Sequence, residues 1–183
     1  MPHLFLRVKP GPRGLAGLRL TSGWGSFLTI RANQRPDNRK DIMKRKASAV
    51  WRGGLKEGKG SISTESGVLK ETQYSFGTRF ENGIGTNPEE LIAAAHAGCF
   101  TMALSAELGK AGITPEALNT QATVTMERLE TTGWTVTQVH LEVTAQIPGV
   151  DAAKFNTAAA AAKAGCPISR LLNTNITMDA KLG

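Results

Sequence analysis

Cysteine and histidine are both scarce in this sequence, and their placing narrows the chemistry. The 183 residues hold two cysteines, Cys99 and Cys166, and three histidines, His3, His96 and His140. No C-x-x-C pair is present and no second histidine stands near either cysteine, so His96, Cys99 and Cys166 make a poor tetrahedral zinc set and no metal is expected. No internal repeat is evident. The two apolar stretches near the N-terminus, at residues 4–8 and 27–30, are too short for a secretory h-region or a membrane span. The expectation is a cytoplasmic protein without a membrane partner.

The net charge of +7 would suggest a nucleic-acid partner if it were spread over the chain. It is not: residues 1–42 hold eight Lys and Arg against two Asp, giving +6, whereas residues 43–183 hold 14 against 13, giving +1. A nearly neutral main part argues against nucleic-acid binding. Residues 1–42 are rich in Gly and Pro with no sustained apolar period, and read as a disordered extension. Being rich in Arg and poor in acids, they also fit an organelle leader. Met43, followed by Lys44, Arg45 and Lys46, resembles an alternative translation start. Residues 43–183, part of a chain that is 40% hydrophobic, are read as one domain.

The most informative stretch is residues 85–100, GTNPEELIAAAHAGCF. Asn87 suits an N-cap, Pro88 the first helical position, and Glu89 and Glu90 set negative charge against the positive end of the helix dipole. Ile92, Ala95, Cys99, Met102 and Ala106 then recur at spacings of three and four, which predicts a helix to about Gly109 with Cys99 on its buried stripe. A buried cysteine is commonly no more than a small hydrophobe. The second cysteine lies in KAGCPISRLL, residues 163–172: Asp151 caps a run of Ala and Lys, Gly165 closes it, and Pro167 opens a new turn. Cys166 therefore sits at a helix N-terminus, where the dipole favours a thiolate, and by local reasoning it is the more reactive thiol.

These two stretches, together with STESGVL at residues 63–69 and FGTRFENGIGTNPEE upstream of the long helix, closely resemble the OsmC branch of the OsmC/Ohr proteins. The resemblance spans residues 43–182. It implies a cysteine-dependent peroxidase that reduces organic hydroperoxides, and hydrogen peroxide less readily, in an intertwined homodimer serving oxidative and osmotic stress defence, with no metal or haem. Carried over by motif, it makes Cys99 the thiol that attacks the peroxide and Cys166 the thiol that resolves it. It also makes Arg79 and Glu89 catalytic, and a dihydrolipoyl group the external dithiol reductant.

Making Cys99 the attacking thiol reverses the local ranking, and a cation is the physical remedy. Burial raises a thiol's pKa unless a positive charge stands close enough to favour the thiolate. Arg79 is the candidate, able also to donate to the peroxide oxygens as the O–O bond breaks, with Glu89 orienting it. Without the resemblance these two residues are a surface ion pair and a helix-dipole carboxylate. Ten residues on one straight helix separate Glu89 from Cys99 by about 15 Å. One active site therefore takes them from different subunits, or the helix bends.

Elsewhere residues 47–51 and 59–63 read as a hairpin around Arg52-Gly53-Gly54, with a third strand at residues 74–80. Phe76 and Phe80 are read either as core or as an apolar mouth. Alternation over residues 118–127 and 134–147 predicts two long strands. In the second, Trp134 and Val136 occupy even positions while Val139 to Ile147 occupy odd ones, so a β-bulge is expected near Thr137-Gln138. Residues 176–182 form a terminal strand, with His140 on the polar face of its own. The pattern is an α+β fold with a mainly antiparallel sheet and a long apolar central helix suited to a subunit interface.

Three other readings remain open from the residues alone. His96, three residues before Cys99, suits the base of a cysteine hydrolase. The two cysteines are compatible with a structural disulfide, although a reducing cytoplasm makes that unusual. A non-catalytic small-molecule-binding member of the same fold is the third.

Overall fold

The computed structural model describes residues 42–183; the reading of the N-terminal extension lies outside the described residues. Among the described residues two three-stranded sheets and four helices make up the fold, which is α+β as the pattern of elements implies.

Strands β1 (Ala47–Arg52) and β2 (Lys59–Thr64) form the expected antiparallel hairpin, turned by Gly53 at φ 92°. Strand β3 (Thr72–Ser75) pairs antiparallel with β2. The expected continuation of this strand to Phe80 does not occur: residues Phe76–Phe80 are a short helix, α1. Ser75 caps it, with its hydroxyl accepting from the Thr78 amide while the Thr78 hydroxyl accepts from the Ser75 amide. That reciprocal cap outweighs the β preference of two phenylalanines. It also places Arg79 in the helix's last turn.

The long helix α2 (Pro88–Lys110) starts as the sequence indicates, with Asn87 Oδ1 accepting from the Glu90 amide at 2.8 Å. Its buried face differs from the expected one. His96, Phe100, Leu104 and Leu108, at spacings of four, are wholly buried, while Ala95, Met102 and Ala106 are exposed and Ile92 and Cys99 lie between. By length and composition α2 is apolar enough to cross a bilayer, yet its buried stripe packs into the core.

Strands β4 (Ala117–Leu129) and β5 (Gly133–Gln146) pair antiparallel along their whole length. The ladder slips between Thr125, opposite Gln138, and Met126, opposite Val136, so Thr137 is the extra residue of the anticipated bulge. Helix α3 (Ala152–Gly165), capped by Asp151, and the short helix α4 (Pro167–Leu171) then carry the chain to β6 (Asn175–Leu182). Strand β6 lies parallel to β5, a pairing that needs such a helical crossover. Phe100, Leu104 and Leu108 meet Leu141, Val143 and Ala145 of β5 and Phe155, Ala159 and Ala162 of α3 in one core. Each large side chain there contributes about 1.5–3 kcal/mol by leaving water.

Candidate active site

The four residues singled out in the sequence fall into two groups within one chain. Arg79 and Glu89 form the first. The guanidinium donates from Nε to both carboxylate oxygens at 3.2 and 3.1 Å and from Nη2 to Oε1 at 2.7 Å. This forked geometry gives orientation as well as charge pairing. Asn87 ties the two elements together, since its Nδ2 donates to the Thr78 carbonyl at 3.2 Å while its Oδ1 caps α2.

A cavity of about 290 Å³ opens beside Arg79, lined by Trp51, Leu55, Tyr74, Phe76, Phe80 and Pro88 among others. Phe76 and Phe80 thus line an apolar recess. The Phe80 ring lies 4.8 Å from Phe76 and 5.0 Å from Trp134, and Trp51 lies 5.3 Å from Tyr74. Gly60 passes between Trp51 and Tyr74, where a Cβ would collide with both rings. The Arg79 guanidinium carbon stands 5.2 Å from the Phe80 ring centre, so the cation borders an apolar wall.

Cys99 and Cys166 form the second group, with their sulfurs 3.2 Å apart and both thiols free. Cys166 is fully buried at the head of α4, and Cys99 is half-buried on α2. A second contact runs beside the sulfur pair: His96 Nε2 lies 2.8 Å from Ser169 Oγ. His96 and Cys99 are three residues apart on α2, as are Cys166 and Ser169 along α4, so one turn of each helix is joined by two polar rungs.

The two thiols are pushed in opposite directions. Burial raises the Cys99 thiol, offset in part by the Ile168 amide and raised further by the neighbouring Cys166. Burial also opposes ionisation of Cys166, but the Ser169 amide, the Cys99 thiol, the Ser169 hydroxyl and the Ile168 amide together bring it below the ordinary cysteine value. These groups crowd the sulfur without making a regular side-chain cap. Within one chain Cys166 is therefore the thiol that ionises first, and Cys99 is the one that holds its proton to higher pH. Among the described residues no hydrogen bond or ion pair links Arg79 to either sulfur.

Helix α2 runs unbroken from Pro88, with Glu89 on Arg79 and Cys99 on Cys166, about 15 Å further along. His96 makes its hydrogen bond to Ser169 and none to Cys99, which weighs against a hydrolase base. Among the described residues no group of three or more His, Cys, Asp or Glu side chains is placed to hold a metal ion. Sequence reasoning missed Ser169. The C-x-x-S spacing from Cys166, the mirror of H-x-x-C at His96, was the available signal.

The fold and the apposed thiols define a two-cysteine protein of the OsmC-like class. The family described as OsmC-like protein matches residues 80–181. The chain is 49% identical over 138 residues to Peroxiredoxin OsmC of Escherichia coli (strain K12), covering 75% of this chain and 96% of that protein. Among solved structures, an organic hydroperoxide resistance protein from Elizabethkingia anophelis is 27% identical with a TM-score of 0.60, covering 79% of this chain and 98% of that one. OhrB of Bacillus subtilis, an organic hydroperoxide resistance protein, is 25% identical with a TM-score of 0.55, covering 75% and 98%. The chain belongs to the OsmC family.

Proposed function

We propose that this protein is a cysteine-based peroxidase that reduces organic hydroperoxides to alcohols, and hydrogen peroxide less well, in oxidative and osmotic stress defence. The observation that carries the reading is the 3.2 Å separation of the Cys99 and Cys166 sulfurs. That is close enough for a disulfide after a small rearrangement.

The reaction runs in three steps. The Cys99 thiolate attacks the terminal peroxide oxygen, the O–O bond breaks, and the alkoxide leaves and takes a proton to become the alcohol. The Cys166 thiolate then attacks the Cys99 sulfenic sulfur; the S–S bond forms, the S–O bond breaks, and the hydroxide leaves as water after taking a proton. An external dithiol, in this reading a dihydrolipoyl group, reduces the disulfide and is itself oxidised to a disulfide. Each step is thiol chemistry, with no cofactor beyond that reductant.

Arg79 supplies the charge that draws the proton from Cys99 and stabilises the leaving oxygen, and Glu89 holds it in place. In this reading the Arg79–Glu89 pair acts on Cys99 of the partner subunit in a homodimer. The unbroken α2 and the exposed apolar side chains Ala95, Met102 and Ala106 beside Cys99 support that arrangement. A cytoplasmic location, where dithiol reductants are available, completes the reading, with no nucleic-acid or membrane partner.

Mixing reduced protein with a slight excess of cumene hydroperoxide and counting free thiols tests it. Both thiols are expected to vanish within seconds and to return with a dithiol. Thiols that persist while hydroperoxide remains would overturn the reading in favour of a non-catalytic binding protein.

A further inference from the structure

Beneath the sulfur pair lies a polar contact that the peroxidase chemistry has not used. His96 occupies the first position of the buried stripe His96, Phe100, Leu104 and Leu108, where its neighbours are all large and apolar. It is wholly buried, its Nδ1 has no partner, and its one side-chain hydrogen bond joins Nε2 and Ser169 Oγ at 2.8 Å. A buried polar ring in such a place opposes folding unless its hydrogen bonds are made, and half of these are not. An apolar side chain of similar size would suit the stripe better.

The orphaned Nδ1 indicates which way the contact is polarised. Were Nδ1 to carry the hydrogen, a buried N–H donor would be left unpaired. With the hydrogen on Nε2, the orphan is an acceptor lone pair, which is tolerated more readily. In that tautomer His96 donates to Ser169 Oγ, and the serine's own hydrogen must go elsewhere. Ser169 is three residues past Cys166, one turn along the short helix that Cys166 begins, and its amide and hydroxyl both favour the thiolate there. Burial lowers the imidazole's proton affinity, which keeps it neutral and in this donating role.

We infer that His96 and Ser169 are positioning residues for Cys166: His96 Nε2–H fixes the Ser169 hydroxyl so that its hydrogen points at the Cys166 sulfur, holding that thiolate ready to close the disulfide. This deepens the peroxidase reading above and rests on it. The step served is the second one, in which Cys166 supplies the electron pair of the new S–S bond and hydroxide departs from Cys99 as water. The first step, attack of Cys99 on the peroxide, does not run through this contact.

Single-turnover kinetics with one equivalent of cumene hydroperoxide separates the two steps, since hydroperoxide loss reports the first and loss of the second thiol reports the second. Ser169→Ala is expected to slow disulfide closure about tenfold, the scale of one hydrogen bond to a charged group, with a far smaller effect on hydroperoxide loss. Ser169→Thr, which keeps a hydroxyl, restores closure. His96→Gln, which keeps an N–H near the position of Nε2, also restores it relative to His96→Leu. Should the histidine variants not fold, the half-buried Ser169 pair carries the test alone. Closure in Ser169→Ala within about twofold of wild type, or no rescue by threonine, overturns the inference while leaving the peroxidase reading intact. Failure of the wild-type protein to consume hydroperoxide overturns that reading and this inference with it.

Discussion

Arg79 holds Glu89 through three hydrogen bonds, the shortest 2.7 Å, at the first turn of the helix that carries Cys99 about three turns further on. A guanidinium anchored there is poorly placed to reach a sulfur of its own chain. If the site is completed across a subunit boundary, two inactive variants complement each other. Arg79→Ala mixed with Cys99→Ser and allowed to re-pair recovers roughly a quarter of wild-type activity, because half the dimers are mixed and each mixed dimer regains one of two sites. Activity that stays at zero after re-pairing, with mixed dimers shown to form, places Arg79 and Cys99 in the same subunit's site.

The sulfur pair makes a prediction about charge. Burial and its neighbour raise Cys99, whereas Cys166 is brought below the ordinary value by Ser169, Ile168 and Cys99 despite its burial. The lowered group is charged from a lower pH than a free thiol, and the raised one stays protonated to a higher pH. With the arginine removed in Arg79→Ala, ultraviolet thiolate absorbance is expected to rise in two steps on either side of the free-cysteine value. Adding Cys166→Ser abolishes the lower step. A lower step that survives without Cys166 assigns the charge to Cys99 and removes the need for a cation.

Two faces of α2 predict two kinds of damage. Leu104 is wholly buried in the core, so Leu104→Ala costs about 2–5 kcal/mol, read as a lower midpoint in denaturant. Met102 is 76% exposed in the single chain, so Met102→Lys leaves that fold in place. Its effect is expected in assembly instead: an exposed stripe that another subunit covers does not accept a buried ammonium. Sedimentation then shows a monomer, and hydroperoxide turnover falls with it. A Met102→Lys protein that stays dimeric and active excludes this stripe as the interface.

The same two faces explain what the sequence could disclose. Ala-rich α2 is apolar on both sides, so periodicity marks a helix but not which side meets its own chain: Ala95, Met102 and Ala106 of the expected stripe are exposed, and Cys99 lies half-buried at the edge of the core. The bulge at Thr137 was legible because strand side chains alternate strictly, and Trp134 and Val136 fall out of phase with Val139 onward. Helix α1 was hidden because its capping pair is Ser75 and Thr78, without the usual Glu or Gln, and its phenylalanines favour strands. The thiols' partners were only half visible. Cys166 at a helix start was readable, but the meeting of His96 with Ser169, 73 residues apart, belongs to the packing of α2 on α4.

The recess beside Arg79 predicts a preference among peroxides. Its walls are Trp51, Tyr74, Phe76 and Phe80, with Trp134 backing Phe80, and the cation stands at its edge. An alkyl or aryl group resting there leaves the O–O bond near the guanidinium, while hydrogen peroxide gains nothing from the apolar wall. Burial of an aromatic face is worth about 1.5–3 kcal/mol when complete, and an open recess delivers only part of that. Phe80→Ala therefore lowers kcat/KM for cumene hydroperoxide by about tenfold and that for hydrogen peroxide by far less. The ratio of the two constants is the quantity to follow, because a general loss of folded protein lowers both alike. An unchanged ratio would mean that the substrate's apolar part rests elsewhere and that these rings serve only to pack α1 against its surroundings.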